Sequence, residues 1–316
     1  MFIEEITSVE SLADLAPEWS GLHQRCPDVT PFQTPEWLLP FWQCFGRGEL
    51  RLLTAYSNNV LAAVIPFVRE HGMLSFIGTG LTDYQDAVIA PQSVPEIREF
   101  LQRYLPEHGC ELDCIRWNSP LRSLEGSWVQ CNTSPILSLP STFAEYEQSL
   151  SPHFRKSLDY AWNKLNTFNE VRVVSAHAET AQPFLDRLVR LHCERWSLKQ
   201  MPGVLSTPEV LDFHRKAITG LVEAGRLLLL ELRLGDDAIA SLYILRDRCA
   251  AYYYIGGFSP ELDRFSPGSL LILHAIRECI ESNIREFHFL RGSEAYKYRW
   301  KAEDRPLYRL TIESSM

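Results

Sequence analysis

The chain contains 316 residues, 46% of them apolar and 22% charged, a composition that excludes a disordered, collagenous or coiled-coil protein. The formal net charge of −9 also excludes a general DNA-binding protein, which needs a basic surface. The charge is uneven, because residues 1–150 carry 8 Lys+Arg against 19 Asp+Glu, and residues 151–316 carry 23 against 21. Two interpretations are open: compositional drift, or a second half that handles an anion.

The N-terminus has neither the basic nor the apolar region of a secretory signal. The longest apolar runs, residues 60–68 and 227–230, are far shorter than the ~20 residues that cross a bilayer. We therefore predict a cytoplasmic protein that is not inserted in a membrane.

The chain has eight cysteines and no Cys-x-x-Cys pair. The arrangement most like a metal site, His108 with Cys110 and Cys114, lacks a second pair of ligands at zinc spacing. The sequence therefore predicts no metal site.

The first half contains an aromatic helix over residues 34–45 and a hairpin over residues 48–67 that turns at two asparagines. Further strands are predicted at residues 73–77, 87–90 and 111–117, with a helix near residues 95–104. The polar loop of Asp83, Tyr84 and Asp86 either lines the acceptor side of an interdomain cleft or is a surface turn.

A Ser-Pro pair then begins a connecting helix that runs to residue 168, which is either simply amphipathic or binds an anion through its basic residues. The elements of the second half follow in the order helix, helix, strand, strand, strand, helix, strand. They are predicted at residues 180–196, 207–225, 227–234, 238–245, 249–255, 266–280 and 285–290.

A helix between the last two strands implies a parallel pair, and hence an α/β fold with mixed sheets (α+β) flanked by helices. The hairpins of the two halves match in length, turn polarity and apolar pattern. We interpret this match as a tandem pair of related units, residues 1–150 and 151–316. The alternative is that any two hairpins look alike.

The stretch from residue 258 to residue 269 links a strand to the N-terminus of a helix, where unpaired N–H groups and a positive dipole attract anions. Gly268 would let a ligand approach the backbone, and Ser266 and Ser269 would donate hydrogen bonds to phosphate. A plain Ser-Pro helix cap is the alternative.

Residues 290–300 follow a strand and bring Glu294, Tyr296 and Lys297 together with arginine and tryptophan. This stretch is a candidate site, a solvated charged loop, or a basic-aromatic segment that binds nucleic acid. His192, followed by Arg195-Trp196 on a predicted helix, is either a packed histidine or a catalytic one.

Five stretches in chain order resemble the GNAT acyltransferase superfamily, in the CelD-like branch associated with cellulose biosynthesis and related to the Fem peptidoglycan-bridge transferases. They are Phe32-Gln-Thr-Pro-Glu-Trp37, Phe154-Arg-Lys156, Leu191-His-x-x-Arg-Trp196, Phe265-Ser-Pro-Gly268 and Arg291-Gly-Ser-Glu-Ala-Tyr-Lys-Tyr-Arg-Trp300. The resemblance implies two GNAT-like (Fem-like) domains: a degenerate one over residues 1–150, and one over residues 151–316 that carries the acyl-donor site.

The resemblance also implies acetyl-CoA or another acyl-CoA as co-substrate, no metal, and a pyrophosphate held by Arg264, Ser266, Gly268 and Ser269. The usual GNAT pattern there is Gln/Arg-x-x-Gly-x-Gly/Ala, and this chain reads Arg-Phe-Ser-Pro-Gly-Ser. Because Fem relatives, which use aminoacyl-tRNA, also lack that pattern, the donor stays open at this point.

The family mechanism implies direct transfer, with backbone N–H groups of the strand at residues 249–257 holding the oxyanion. Glu294 or His192 would be the base, and Tyr254 or Tyr296 the acid. Lys297 matches a signature lysine of the branch, for which the resemblance implies neutralisation of donor or acceptor charge.

The resemblance thus implies an N-acyltransferase acting on an amine or hydroxyl of a small molecule or sugar, with a link to exopolysaccharide or cellulose synthesis. The alternatives are aminoacyl transfer from tRNA to a cell-wall precursor, and a catalytically silent scaffold in a polysaccharide-synthesis complex. The acceptor, the acyl group and the oligomeric state stay open.

Overall fold

The computed structural model describes residues 1–315. Within that range the strands and α-helices are, in chain order, β1 (Phe2–Ile6), α1 (Val9–Asp14), α2 (Ala16–Arg25), α3 (Pro35–Phe45), β2 (Glu49–Ser57), β3 (Val60–Glu70), β4 (Met73–Phe76), β5 (Val88–Ile89), α4 (Val94–His108), β6 (Cys110–Arg116), β7 (Ser127–Ser138), α5 (Phe143–Ser149), α6 (Pro152–Asn166), β8 (Val171–Ser175), α7 (Ala181–Ser197), α8 (Pro208–Glu223), β9 (Leu227–Leu234), β10 (Asp237–Arg246), β11 (Ala250–Phe258), α9 (Pro267–Glu281), β12 (Glu286–His288), α10 (Ala295–Tyr298) and β13 (Glu303–Ile312).

The chain divides into two compact units, one made of Met1–Thr133 with the chain from Arg305 onward, the other of Ser134–Asp304. The strands of the first unit lie in the order β1-β2-β3-β4-β6-β13, and β5 pairs with β3. Those of the second unit lie in the order β7-β12-β11-β10-β9-β8, where β7 contributes residues 136–138.

The same topology occurs in both units. In each, a strand is followed by helices, an antiparallel hairpin (β2-β3 or β9-β10), a further antiparallel strand (β4 or β11) and a helix (α4 or α9). That helix leads to a strand that pairs in parallel with the one before it, β6 with β4 and β12 with β11. The predicted mixed α/β fold, with mixed sheets flanked by helices, is therefore confirmed.

The two hairpins turn where the sequence predicts. Asn58 and Asn59 have φ angles of 50° and 60°, the left-handed values that a two-residue type I′ turn requires. In the second hairpin Gly235 takes a φ of 62° at the start of the turn between β9 and β10.

The second unit has helices on both faces of its sheet. Alternate residues of β9 and β10, such as Leu230 and Leu242, pack with α6 and α9 in one apolar cluster. Their neighbours Glu231 and Ser241 point the opposite way, and Glu231 accepts hydrogen bonds from Arg187 of α7. The polar residues of this sheet are thus gathered beneath α7 and α8.

Two sequence interpretations are wrong in the structure. The strand predicted to end at Gly256-Gly257 continues through both glycines to Phe258, because the missing side chain of Gly257 admits the backbone of α7. The loop of Asp83, Tyr84 and Asp86 is not a surface turn, since these residues are 9%, 0% and 3% exposed. Burial raises the pKa of Asp86 to about 6.

Other differences concern the length of elements. The strand predicted at residues 87–90 is reduced to the two residues of β5, and β1, β7, β8 and β13 were not predicted. These strands carry polar or charged residues among the apolar ones, so their alternation is weak in the sequence. Among the described residues no helix is both long and apolar enough to cross a membrane.

Glu231 gives a test of the packing between α7 and the sheet. This fully buried carboxylate accepts hydrogen bonds from Arg187 and from Arg233, the latter at 2.7 and 2.9 Å. We expect Glu231→Ala to lower the free energy of unfolding by about 3 kcal/mol, because two partly buried guanidinium groups lose their counter-ion.

Chemical denaturation followed by circular dichroism measures this change. The control is Glu194→Ala, which removes an exposed helix pair with Arg190 and should cost less than about 0.5 kcal/mol. Equal losses in the two variants would contradict the assigned role of Glu231.

Candidate functional site

Strands β11 and β12 run side by side for only three residues. Residues 250–252 of β11 pair in parallel with residues 286–288 of β12, after which β12 ends. Residues 253–258 of β11 continue with β10 as their only strand partner within residues 1–315. The chain leaves β12 through Leu290 and Gly292, whose φ angles are 58° and 101°. Residues 253–258 therefore have no described strand partner on the side from which β12 has departed.

A β-bulge marks the start of this open stretch. Tyr243 of β10 is opposite Ile255, whereas Ile244 is opposite Tyr253, so Tyr254 is the extra residue. A bulge bends and twists its strand and re-aims the side chains around it. It lies where β11 separates from β12.

His192 of α7 lies directly against the open stretch. A Cβ atom at Gly257 would lie 2.5 Å from the backbone nitrogen of His192, so this close approach requires glycine. His192 Nδ1 is 3.3 Å from the carbonyl oxygen of Gly256, an arrangement in which the Nδ1–H donates. The other ring nitrogen, Nε2, then carries the lone pair.

The environment of His192 keeps its ring neutral. Burial lowers the pKa of His192 below its ordinary 6.5, Arg195 lowers it further, and the Gly256 carbonyl opposes both effects. Its Nε2 is buried without a hydrogen-bond partner among the described residues. It faces Gly203 in the segment between α7 and α8. His192 therefore has a free lone pair at neutral pH.

Arg195 and Phe258 connect α7 to the start of α9. The guanidinium of Arg195 lies 4.7 Å from the centre of the Phe258 ring. The same ring would be 3.2 Å from a Cβ atom at Gly268. The missing side chain of Gly268 thus makes room for the Phe258 ring.

The predicted phosphate-binding residues surround the N-terminus of α9. A 3-10 turn over Pro260–Phe265 ends at Ser266, whose φ of 46° is left-handed, and Pro267 then begins the helix. Arg264 and Ser266 are exposed, and Ser269 is half-buried in the first turn. A helix start of this kind offers N–H groups and positive potential to an anion.

Lys297 has a different environment from the one expected. It is 2% exposed, and its Nζ donates to the carbonyl oxygens of Leu290, Arg291 and Gly292 at 3.2, 2.7 and 3.0 Å. It also forms a 2.8 Å ion pair with Glu294. An ammonium has three protons, so these four acceptors use its capacity fully. Lys297 therefore fixes the chain where it leaves β12.

Glu294 is ionised in this setting. Partial burial raises the pKa of its carboxyl, but the hydrogen bond from Lys297 outweighs burial and brings the pKa below 4.5. A carboxylate with so low a pKa is a weak base at neutral pH. It is the more exposed of the two predicted bases.

The two tyrosines predicted as acids lie in different clusters. Tyr296 is 6.4 Å from the ring of Phe289, which is 6.3 Å from Tyr253, and burial raises the pKa of both tyrosines above 10. Tyr254 instead packs with His214 and Tyr243, at ring distances of 5.5 and 5.7 Å. The sequence did not predict a role for Tyr253. It lies in a run of three tyrosines, and the bulge at Tyr254 determines which of them point to each face of the sheet.

The structure therefore brings most of the predicted residues together. His192 is joined through Gly256, Phe258 and Gly268 to the start of α9. Charges on Glu294 and Arg195 act on both Tyr253 and Tyr296, so these side chains share one electrostatic environment. Tyr254 belongs to a neighbouring aromatic cluster.

A family model matches part of the chain. Residues 152–298 match a model described as an acetyltransferase (GNAT) domain. This stretch of the chain is therefore GNAT acetyltransferase-like. A search of curated protein sequences gave no match.

Solved structures share the fold over the whole chain. A crystal structure of FemX superposes with a TM-score of 0.68 at 10% identity, covering 99% of this chain and 98% of FemX. The C-terminal domain of a putative lysylphosphatidylglycerol synthetase from Agrobacterium fabrum gives 0.62 at 10% identity, covering 98% and 94%. L-PGS from Bacillus licheniformis gives 0.61 at 12% identity, covering 100% and 95%. At these identities the likeness shows that the chain shares the fold of these proteins.

Lys297 provides a test of the loop after β12. Lys297→Met keeps the volume of the side chain but removes the donor for three carbonyl groups and the partner of Glu294. We expect the free energy of unfolding to fall by about 3 kcal/mol, at about 1 kcal/mol for each of the three carbonyl groups that lose their donor. Thermal and denaturant unfolding measure the loss.

The matched control is Lys156→Met, which alters an exposed lysine on α6. We expect it to change stability by less than about 0.5 kcal/mol. If Lys297→Met were equally mild, Lys297 would not hold this loop.

Proposed function

We propose that this protein is an acyltransferase that takes its acyl group from acyl-coenzyme A, with acetyl-CoA as the first donor to test. The observation that carries the proposal is the separation of β11 from β12 beside the N-terminus of α9. Open strand N–H groups suit a thioester carbonyl on which negative charge develops. A helix N-terminus suits a pyrophosphate.

The donor phosphates would bind the start of α9. Arg264 and Ser266 are exposed there, and Ser269 can donate its hydroxyl from the first turn. Gly268 contributes indirectly, because it allows Phe258 to pack beneath the loop. The second half of the chain has the more basic balance, which supports this location for an anion.

The chemistry would be a direct transfer. The acceptor amine or hydroxyl attacks the thioester carbonyl, the new C–N or C–O bond forms, and the C–S bond breaks. We assign the acceptor's proton to His192 Nε2, because the ring is neutral and already oriented by Gly256. The segment at Gly203, which covers this nitrogen, would have to move aside when the acceptor binds. Tyr296, protonated at neutral pH, would give its proton to the departing thiolate. Glu294 is the alternative base.

The acceptor is the least determined partner. The resemblance to the CelD-like branch supports a small molecule or sugar acceptor in exopolysaccharide or cellulose synthesis. Asp83, Tyr84 and Asp86 were considered as acceptor-lining residues, and their burial argues for a role in packing. A silent scaffold in a polysaccharide-synthesis complex is the non-enzymatic alternative.

Aminoacyl transfer from tRNA is a second candidate function. The whole-chain likeness to FemX supports it, because Fem relatives use that donor. The net charge of −9 argues against it, since tRNA is a large polyanion. The two donors differ in size and charge, so binding experiments separate them.

Substitution of Ser269 tests the donor site. We expect acetyl-CoA to bind the wild-type protein in isothermal titration calorimetry. Ser269→Asp should weaken binding at least about tenfold, because a carboxylate in the first turn suits the helix dipole but repels phosphate. Ser269→Ala, the matched control, removes one hydroxyl and should weaken it by less than about fivefold.

The same titration separates the alternatives. Absence of acetyl-CoA binding at millimolar concentration would refute an acetyl-CoA-dependent enzyme. Salt-sensitive binding of aminoacyl-tRNA in its place would favour Fem-type transfer. Binding of neither ligand would favour the scaffold.

The pH dependence of kcat/KM identifies the base. If His192 accepts the proton, the rate is constant at neutral pH and falls as the pH drops through the lowered pKa of His192, below 6.5. His192→Gln should then lose about 10²-fold or more in kcat and abolish that acidic limb. Glu294→Gln should retain it.

The reverse pattern is equally clear. An acidic limb below pH 4.5 that vanishes in Glu294→Gln would identify Glu294 as the base. Thermal unfolding of each variant, measured in parallel, separates a lost proton acceptor from a damaged fold.

A further inference from the structure

The first unit holds a compact cluster of soft and hard metal ligands remote in sequence from the candidate acyltransferase residues. Asp113 and Cys114 of β6 and Cys131 of β7 each present one ligand atom, and these three atoms all lie within 4.8 Å of one another. Cys114 is buried, and the other two residues are half-buried. All eight cysteines of the chain are reduced.

The backbone is distorted at this cluster. Opposite β6, Tyr308 of β13 pairs with Ile115 and Leu310 pairs with Leu112, so Asp113 and Cys114 together face a single residue. Cys114 has a φ of 55°, a left-handed value that is unfavourable for any residue with a side chain. The left-handed backbone of Cys114 therefore costs about 1–2 kcal/mol of conformational strain in the folded protein.

The polar contacts converge on the carboxylate of Asp113. Its Oδ1 accepts the Cys114 N–H at 3.0 Å and the Arg309 Nε at 3.4 Å, and its Oδ2 accepts the Arg309 Nη2 at 3.3 Å. The Cys131 thiol also donates to it. Burial works against ionisation of Asp113, but these hydrogen bonds outweigh it and lower the pKa. The carboxylate is thus charged and oriented towards Cys131.

The charges of this cluster balance for a divalent cation. Two thiolates and one carboxylate carry three negative charges, and Arg309 beside Asp113 carries one positive charge. A Zn²⁺ ion brings the total to zero. Arg309 is 42% exposed, so it can remain beside the outer oxygen or swing into solvent.

We propose that Asp113, Cys114 and Cys131 form a site for a thiophilic divalent cation such as Zn²⁺. Two thiolates and one carboxylate are ligands that Zn²⁺ accepts in tetrahedral geometry, with a water as the fourth. The ion ties the start of β7 to the bulge of β6. Arg309 then orients the carboxylate ligand, as outer hydrogen bonds do in metal sites.

Binding must release two protons. A cysteine binds Zn²⁺ as its thiolate, so the metal has to displace the proton from each sulfur. The apparent affinity should therefore increase with rising pH. In the metal-free state the Cys131 proton is held by Asp113.

Cobalt provides the direct test, because Co²⁺ bound by thiolates gives an intense charge-transfer absorption. We expect the full-length, reduced protein to bind one equivalent of Co²⁺ with this absorption, and Zn²⁺ to displace it. Cys131→Ser should remove the thiolate absorption or weaken binding at least about tenfold. Asp113→Asn should weaken it at least about tenfold as well.

The control is Cys193→Ser, which removes a half-buried thiol on α7 and should leave the titration unchanged. A second readout is alkylation: Zn²⁺ should protect Cys131 from N-ethylmaleimide and leave Cys193 equally reactive. These measurements do not depend on acyltransferase activity.

Any of three results of the cobalt titration would overturn the proposal. They are absence of a thiolate absorption in the wild-type protein, an absorption that survives Cys131→Ser with unchanged affinity, and loss of the absorption in Cys193→Ser. Formation of a Cys114–Cys131 disulfide with peroxide, without any Zn²⁺ protection, would identify the pair as redox partners and refute the metal site.

Discussion

The contact between α7 and β11 at Gly257 is the constraint on which the candidate site depends. The backbone nitrogen of His192 occupies the space that any side chain at Gly257 would need. With α7 this close, His192 reaches the Gly256 carbonyl and Arg195 reaches the Phe258 ring. A helix moved outward by one methyl group would lose the hydrogen bond to Gly256, which is already 3.3 Å long. Three stretches distant in sequence thus meet through one missing side chain.

The uneven distribution of charge along the sequence is only a partial guide to where an anion would bind. The ammonium group of Lys297 is already paired with three carbonyl groups and with Glu294, so it attracts a ligand in solvent only weakly. Positive potential for an anion is left to exposed Arg264 and to the N-terminus of α9. Counting charged residues shows which half of the chain is more basic. Only the contacts of each side chain show whether a cation stabilises a loop or is available to bind a ligand.

Periodicity in the sequence predicts the second unit well, because α7, α8, β9 and β10 have strong 3.6- or 2-residue patterns. The candidate site is less predictable for physical reasons. In a sequence, a Gly-Gly pair that ends a strand cannot be distinguished from one that lets a helix pack closely against the strand. The bulge at Tyr254, in turn, changes which tyrosine side chains point to each face of the sheet. The cysteine cluster is similarly hidden, because Cys131 reaches Cys114 through strand positions and not through a local motif. The arrangement in the sequence most like a metal site, His108 with Cys110 and Cys114, shares only Cys114 with this cluster.

The two units share a topology but treat the end of the corresponding strand differently, and this supports a donor site in the second unit. After β4 the chain of the first unit folds back as a buried loop, in which the Gln85 N–H donates to Cys114 of β6 and Trp37 donates to Thr82. Its own side chains therefore fill the space beside β6. In the second unit the chain after β11 turns instead into α9, and residues 253–258 have no second strand partner among the described residues. A ligand can pair with that edge only where the protein has not already done so.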